Sequence, residues 1–220
     1  MRKENILNEN YLKFTEKVIA DAEKSGKKPT LLLHVCCAPC SSSVLEYLSR
    51  HFSITLLYYN PNITEKTEYE LRFDELVRLL SEMPGLSNVE VIKRAYSPDD
   101  FIKIAKGLET APEGGERCTR CYRLRLAETA KTASENGFDY FTTTLSVSPY
   151  KDARRLNAIG GELALQYNVA YLFSDFKKKN GYKRSIELSH IYGLYRQDYC
   201  GCVYSKEEAR MRRLEKSKNV

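Results

Sequence analysis

The sequence predicts an α/β fold: one domain built on a doubly wound, mostly parallel sheet, ending in a basic extension. Three observations carry that expectation. Short, uninterrupted apolar runs alternate with amphipathic helical patterns along most of the 220 residues, as they do when strands are buried on both faces between helices. With 42% apolar residues, 16 Tyr and 8 Phe against 11 Gly and 7 Pro, the chain can build a sizeable core and is neither disordered nor fibrous. No internal repeat or low-complexity linker divides it.

The elements follow in order. A charged helix from about Asn10 to Lys24 presents Leu12, Phe14, Val18 and Ile19, and residues 1–29 read as an N-terminal helical extension to an α/β domain of residues 30–205. LLLHV is the first strand. In SSSVLEYLSRHF the serines suit an N-cap, while Val44, Leu45, Leu48 and Phe52 share one helical face. ITLLYYN is the second strand, EYELRFDELVRLLSEM a long helix, and VEVIKRAY the third strand. Ser97 and Pro98 open the next helix, and CYRLRLAETAKTASENG forms another, closed by Gly137. DYFTTTL is the fourth strand, SPYKDARRLNAIGGELALQYN a helix begun by a second Ser-Pro, and VAYLFSD the fifth strand. A last helix from about Lys206 fills a basic tail, residues 206–220. Sheets of this Rossmann-like or HUP-like kind gather functional groups at the carboxyl ends of their strands. Here the first strand runs directly into Cys36-Cys37-Ala38-Pro39-Cys40.

The seven cysteines fall into three groups: Cys36, Cys37 and Cys40; Cys118 and Cys121; Cys200 and Cys202. Structural cysteines that pack as small apolar residues have no reason to cluster so. The N-terminus, MRKENILNENYLKFTEK, has no apolar secretory core, so the expected compartment is the cytoplasm, where such a pattern reads as metal binding or redox chemistry. Four thiolates suit tetrahedral zinc or an iron–sulfur cluster. Gaps spanning whole βα units favour a cofactor seated in the cleft of a folded domain. Three further thiols permit a second metal or a redox couple. A disulfide across the single glycine of Cys200-Gly201-Cys202 would be strained and easily reduced; the alternatives are further ligands or free thiols.

Charge and an absence narrow the partners. Residues 177–220 carry twelve Lys or Arg against five Asp or Glu, leaving 23 against 24 in residues 1–176. The excess reads either as a solvated helix and tail or as a footprint for a polyanion such as RNA. No apolar run is long enough for a bilayer. The loop after the first strand is CCAPCSSS where a nucleotide-binding sheet carries glycines, which disfavours ATP or dinucleotide binding there. At the ends of later strands, Tyr58, Tyr59 and Asn60, then Tyr150, Lys151 and Asp152, stand where an active edge is expected.

Taken together, HVCCAPCS, YYNPNI followed by EYELR, RCTRCYRLRL, TTTLSVSPYKD and YRQDYCGCVYS resemble the QueH-type epoxyqueuosine reductases, from about Leu31 to Ser205. The resemblance implies removal of the epoxide oxygen of epoxyqueuosine at the wobble position of tRNA, with an iron–sulfur cluster and without cobalamin. By motif, Cys36, Cys37, Cys118 and Cys121 would ligate a [4Fe–4S] cluster. Cys200 and Cys202 match a Cys-Gly-Cys thought to be a redox-active pair, and Cys40 is a candidate ligand to an additional mononuclear iron. Asp152, Tyr150 or Tyr199 could supply a proton. Lys177, Lys178, Lys179, Lys183 and Arg184 would meet tRNA phosphates, and an electron donor of unidentified nature is required. The competing readings are a zinc- or iron–sulfur-containing tRNA sulfur transferase and a non-enzymatic, zinc-stabilised RNA-binding module.

Overall fold

The computed structural model describes residues 10–218. Five parallel strands, β1 (Thr30–His34), β2 (Ser53–Tyr58), β3 (Glu90–Lys93), β4 (Tyr140–Thr143) and β5 (Ala170–Tyr171), lie in the order β3-β2-β1-β4-β5. The sheet is doubly wound, as the alternation predicts, and parallel throughout. β1 is central, with Leu31 opposite Ile54 of β2 and Tyr140 of β4. Strand order reverses between β1 and β4, which places a crevice beyond their carboxyl ends.

Successive side chains of β1 face opposite sides, so one strand serves two cores. Leu31 and Leu33 pack with α1 (Tyr11–Lys24), α2 (Ala38–Leu48) and α3 (Lys66–Glu82), whereas Leu32 packs with α5 (Glu116–Glu135) and α6 (Ala153–Tyr167). A third cluster joins Phe101 of α4 (Pro98–Ala105), Cys121 and Cys202. α1 is part of the packed body: Leu12 and Ile19 are buried, and Thr15 Oγ1 donates to the Phe173 carbonyl at 2.7 Å. Among the described residues, no helix is long and apolar enough to cross a membrane.

Several helix starts differ from the sequence expectation. α2 begins at Ala38, before the serines, with Cys37 in extended backbone as its N-cap and Pro39 in its first turn. Proline has no N–H to lose there and its φ is already helical. The Ser41 and Ser42 hydroxyls donate instead to the carbonyls of Cys37 (2.8 Å) and Pro39 (3.0 Å). α6 starts after Asp152 rather than at Ser148-Pro149, because the Asp152 carboxylate accepts the N–H groups of Arg154 and Arg155. α5 opens at Glu116, which brings Cys118 and Cys121 into its first two turns. Beyond β5, α7 (Gly181–Ile191) was not foreseen from the sequence, and α8 (Val203–Lys218) starts immediately after Cys202.

Candidate active site

All three cysteine groups sit at or near helix N-termini: α2, α5 and α8. Helix amides and dipoles favour negative sulfur at such positions. Cys202 illustrates the arrangement, its Sγ accepting the Ser205 N–H at 3.3 Å. Likewise the Gly114 N–H donates to Cys118 Sγ at 3.2 Å. All seven cysteines are free thiols.

Beyond β1, the Sγ atoms of Cys36, Cys37 and Cys40 lie within 4.8 Å of one another, with Cys36 and Cys37 3.7 Å apart. Their protons are shared unequally. Hydrogen bonds from Cys37 and Cys40 hold the Cys36 thiol well below its ordinary range, despite burial, whereas Cys37 is pushed up to about 12 and Cys40 upward by the thiolate beside them. One thiolate backed by two thiols is a set of soft donors ready to bind iron or zinc as protons depart. Cys118 and Cys121 lie outside this triad. Burial raises both, Cys121 to about 12.

Positive charge compensates the sulfur. Buried Arg125 donates to Asn60 Oδ1 at 2.6 Å and approaches His34 Nε2 at 3.3 Å, and its charge reaches Cys121, Cys36 and Cys200. Its Nη1 is buried without a hydrogen-bond partner. An unpartnered guanidinium nitrogen among thiols fits a site built for an anionic sulfur-ligated centre. His34 itself is fully buried, and burial followed by the Arg125 charge lowers its pKa to about 3. It remains a neutral polar group of the core, 2.9 Å from Thr143 Oγ1.

Cys36, Cys37 and Cys40 line an open cavity of about 560 Å³, together with Lys151, Tyr199 and Cys200. Cys200 is fixed by residues that the sequence reading did not single out. Arg72, 2% exposed and ion-paired to Glu68 at 2.7 Å, donates to the Cys200 carbonyl at 3.1 Å. Asn62 Nδ2 reaches the same carbonyl at 3.4 Å, and the Thr64 N–H donates to the Gly201 carbonyl at 3.2 Å. Gly201 has φ +117°, and a Cβ there would meet Ile63 Cγ1 at 2.9 Å. Lys151 Nζ lies 3.7 Å from Cys200 Sγ.

Other residues expected at the site are placed differently. Tyr150, 79% exposed, stands at the cavity mouth, and Asp152 caps α6. Tyr199 lines the cavity with Arg72 5.3 Å over its ring, and burial raises its phenol. Of the basic segment, Lys177 pairs with Asp175, Lys179 with Glu16, and Arg184 with Glu46 and Glu187. Lys178 and Lys183 are exposed and free of ion pairs among the described residues, while Arg196 and Arg212 line the cavity rim.

The family model described as epoxyqueuosine reductase QueH matches residues 31–208. The chain belongs to the QueH family. QueH of Staphylococcus epidermidis is 45% identical over 201 residues, 89% of this chain and 84% of that protein. Streptococcus pyogenes QueH is 42% identical over 198 residues, covering 89% and 78%, and that of Thermotoga maritima 34% over 192, covering 86% and 96%. Residues 31–208 of the QueH match take in every cysteine and the whole cavity wall between β1 and the start of α8.

Proposed function

We propose that the chain reduces epoxyqueuosine in tRNA to queuosine, the closing step of queuosine synthesis. The observation that carries this reading is the cavity at the β1–β4 switch point, which Cys36, Cys37, Cys40 and Cys200 line in a chain that belongs to the QueH family. Opening the epoxide to an alkene takes two electrons and two protons and releases water.

Cys36, Cys37, Cys118 and Cys121 would hold a [4Fe–4S] cluster, with Cys40 left to an additional mononuclear iron beside it. The sulfur donor set, the helix N-termini and the unpartnered Arg125 nitrogen support that placement. Bound there, iron supplies single-electron transfer and a Lewis-acidic position. The chain's own residues do the rest. Cys200, in the cavity wall, and Cys202, buried just before α8, form the two-electron store that an unidentified donor refills. The Tyr150 ring at the mouth offers a face for an extruded base, and Lys178, Lys183 and Arg212, without ion pairs among the described residues, would meet phosphate. A cytoplasmic location goes with that reading, since tRNA is its substrate.

Anaerobic purification followed by metal analysis tests the reading. Brown protein with about four iron and four sulfide per chain is expected. Incubation with reductant and epoxyqueuosine-containing tRNA, followed by nuclease digestion and mass spectrometry, should show loss of one oxygen from the nucleoside. Colourless protein with one tightly held zinc overturns the reading.

A further inference from the structure

We propose that Lys151 is a catalytic residue, its ammonium giving a proton to the departing epoxide oxygen and recovering one from Cys200. The proposal rests on the reductase reading and deepens it. Lys151 lies between the turn that follows β4 and the N-cap of α6, across the switch point from Cys36. Its Nζ is 3.7 Å from Cys200 Sγ, in the wall of the cavity that Cys36 and Cys40 also line.

A lysine kept for structure pairs with a carboxylate or extends its head into water. Lys151 does neither: it is half-buried, and among the described residues no carboxylate forms an ion pair with it. Its neighbours are otherwise engaged. Tyr150 is 79% exposed, and the Asp152 carboxylate accepts two amides of α6. Of these three consecutive residues, the middle one aims its polar atom at sulfur. Burial opposes its charge, but the facing Cys200 and Tyr122 outweigh that and hold the ammonium protonated. An ammonium is a weak acid in water, yet an opening epoxide leaves an alkoxide, which is a far stronger base than the amine.

The step balances. Two C–O bonds break, a C=C bond forms, and the oxygen leaves as water after accepting two protons. The Cys200–Cys202 dithiol loses two protons and two electrons as its S–S bond forms. One proton travels from Cys200 Sγ by way of Lys151 Nζ to the oxygen; the other originates at Cys202. Dithiol and epoxide therefore become disulfide, alkene and water, with the lysine returned to its starting state.

The test compares wild type, Lys151→Met and Lys151→Arg as holoenzymes in single-turnover conversion of epoxyqueuosine-containing tRNA. Alkylation of Cys200 by iodoacetamide at pH 7, followed by mass spectrometry on the reduced protein, is measured in parallel. Lys151→Met should slow conversion by at least about 100-fold while leaving tRNA affinity and melting temperature unchanged, with Lys151→Arg intermediate. Cys200 alkylation should fall by about tenfold in Lys151→Met as the cation beside its sulfur is removed. Conversion within about threefold of wild type in that variant overturns the proposal. Should Lys151→Met fold poorly, a Lys151→Arg enzyme as fast as wild type that also alkylates at the wild-type rate overturns it equally. Wild-type protein that converts no tRNA overturns the reductase reading. A fall in Cys200 alkylation would then still support the Lys151–Cys200 proton pair, and an unchanged rate would remove it.

Discussion

Removing Arg72 tests how the Cys-Gly-Cys segment is held. Arg72→Met keeps much of the apolar stem but deletes the guanidinium, which is paired to Glu68 at 2.7 Å and donates to the Cys200 carbonyl at 3.1 Å. Both ends of the pair are sheltered, with side chains 2% and 10% exposed. The larger consequence is therefore the Glu68 carboxylate left buried without its partner, a change that costs about 3–5 kcal/mol. Loss of the carbonyl contact adds roughly 1 kcal/mol. For a domain of this size each kcal/mol moves Tm by about 2–4 °C, so a drop of about 8–24 °C is expected by calorimetry or circular dichroism. Glu68→Gln combined with Arg72→Met removes the stranded charge and should recover more than half of the loss. Cys200 alkylation should rise in both variants, since the segment is released in both. A single variant melting within 2 °C of wild type, or a double variant no more stable than the single, would refute the account.

Three further expectations follow from the geometry. Gly201→Ala forces a Cβ to 2.9 Å from Ile63 Cγ1 in a left-handed backbone and should cost about 2–4 kcal/mol; an unchanged denaturation midpoint counts against the observed loop. Asp152→Asn retains a capping oxygen whereas Asp152→Ala loses about 1 kcal/mol, so full turnover in the Asn variant removes Asp152 as proton donor without confusion from the helix start. His34 titrates near 6.5 when unfolded and at about 3 when folded. Between those values the unfolded chain binds the extra proton, so stability is complete above pH 6.5 and falls by up to ~1.4 kcal/mol per pH unit below it. Denaturation of wild type and His34→Asn from pH 7 to 5 checks this, the variant being expected to show the shallower slope.

What could be read along the chain is what depends on near neighbours. Apolar runs of strand length between helical periods imply the parallel sheet, because each strand is buried on both faces by the helices beside it. The grouping of Cys36, Cys37 and Cys40, of Cys118 and Cys121, and of Cys200 and Cys202 is likewise visible in sequence, as are the motifs that carry the family resemblance. Helix starts were less legible: cysteine at a cap position and proline after it compete with the serines of α2, and only the folded backbone decides between them.

The sequence by itself therefore determined the sheet, the position of the first cysteines at the end of β1, and the separation of the thiols into three groups. Tertiary structure alone decided which charges meet them. Arg72 reaches Cys200 across 128 residues of chain and Lys151 reaches it across 49, contacts that no local period encodes. The same folding places Glu16 and Glu46 against Lys179 and Arg184, turning part of an apparent RNA footprint into internal ion pairs. The reason is physical: backbone pattern is set by burial along each element, whereas the field inside a cleft is set by side chains that distant elements bring to it.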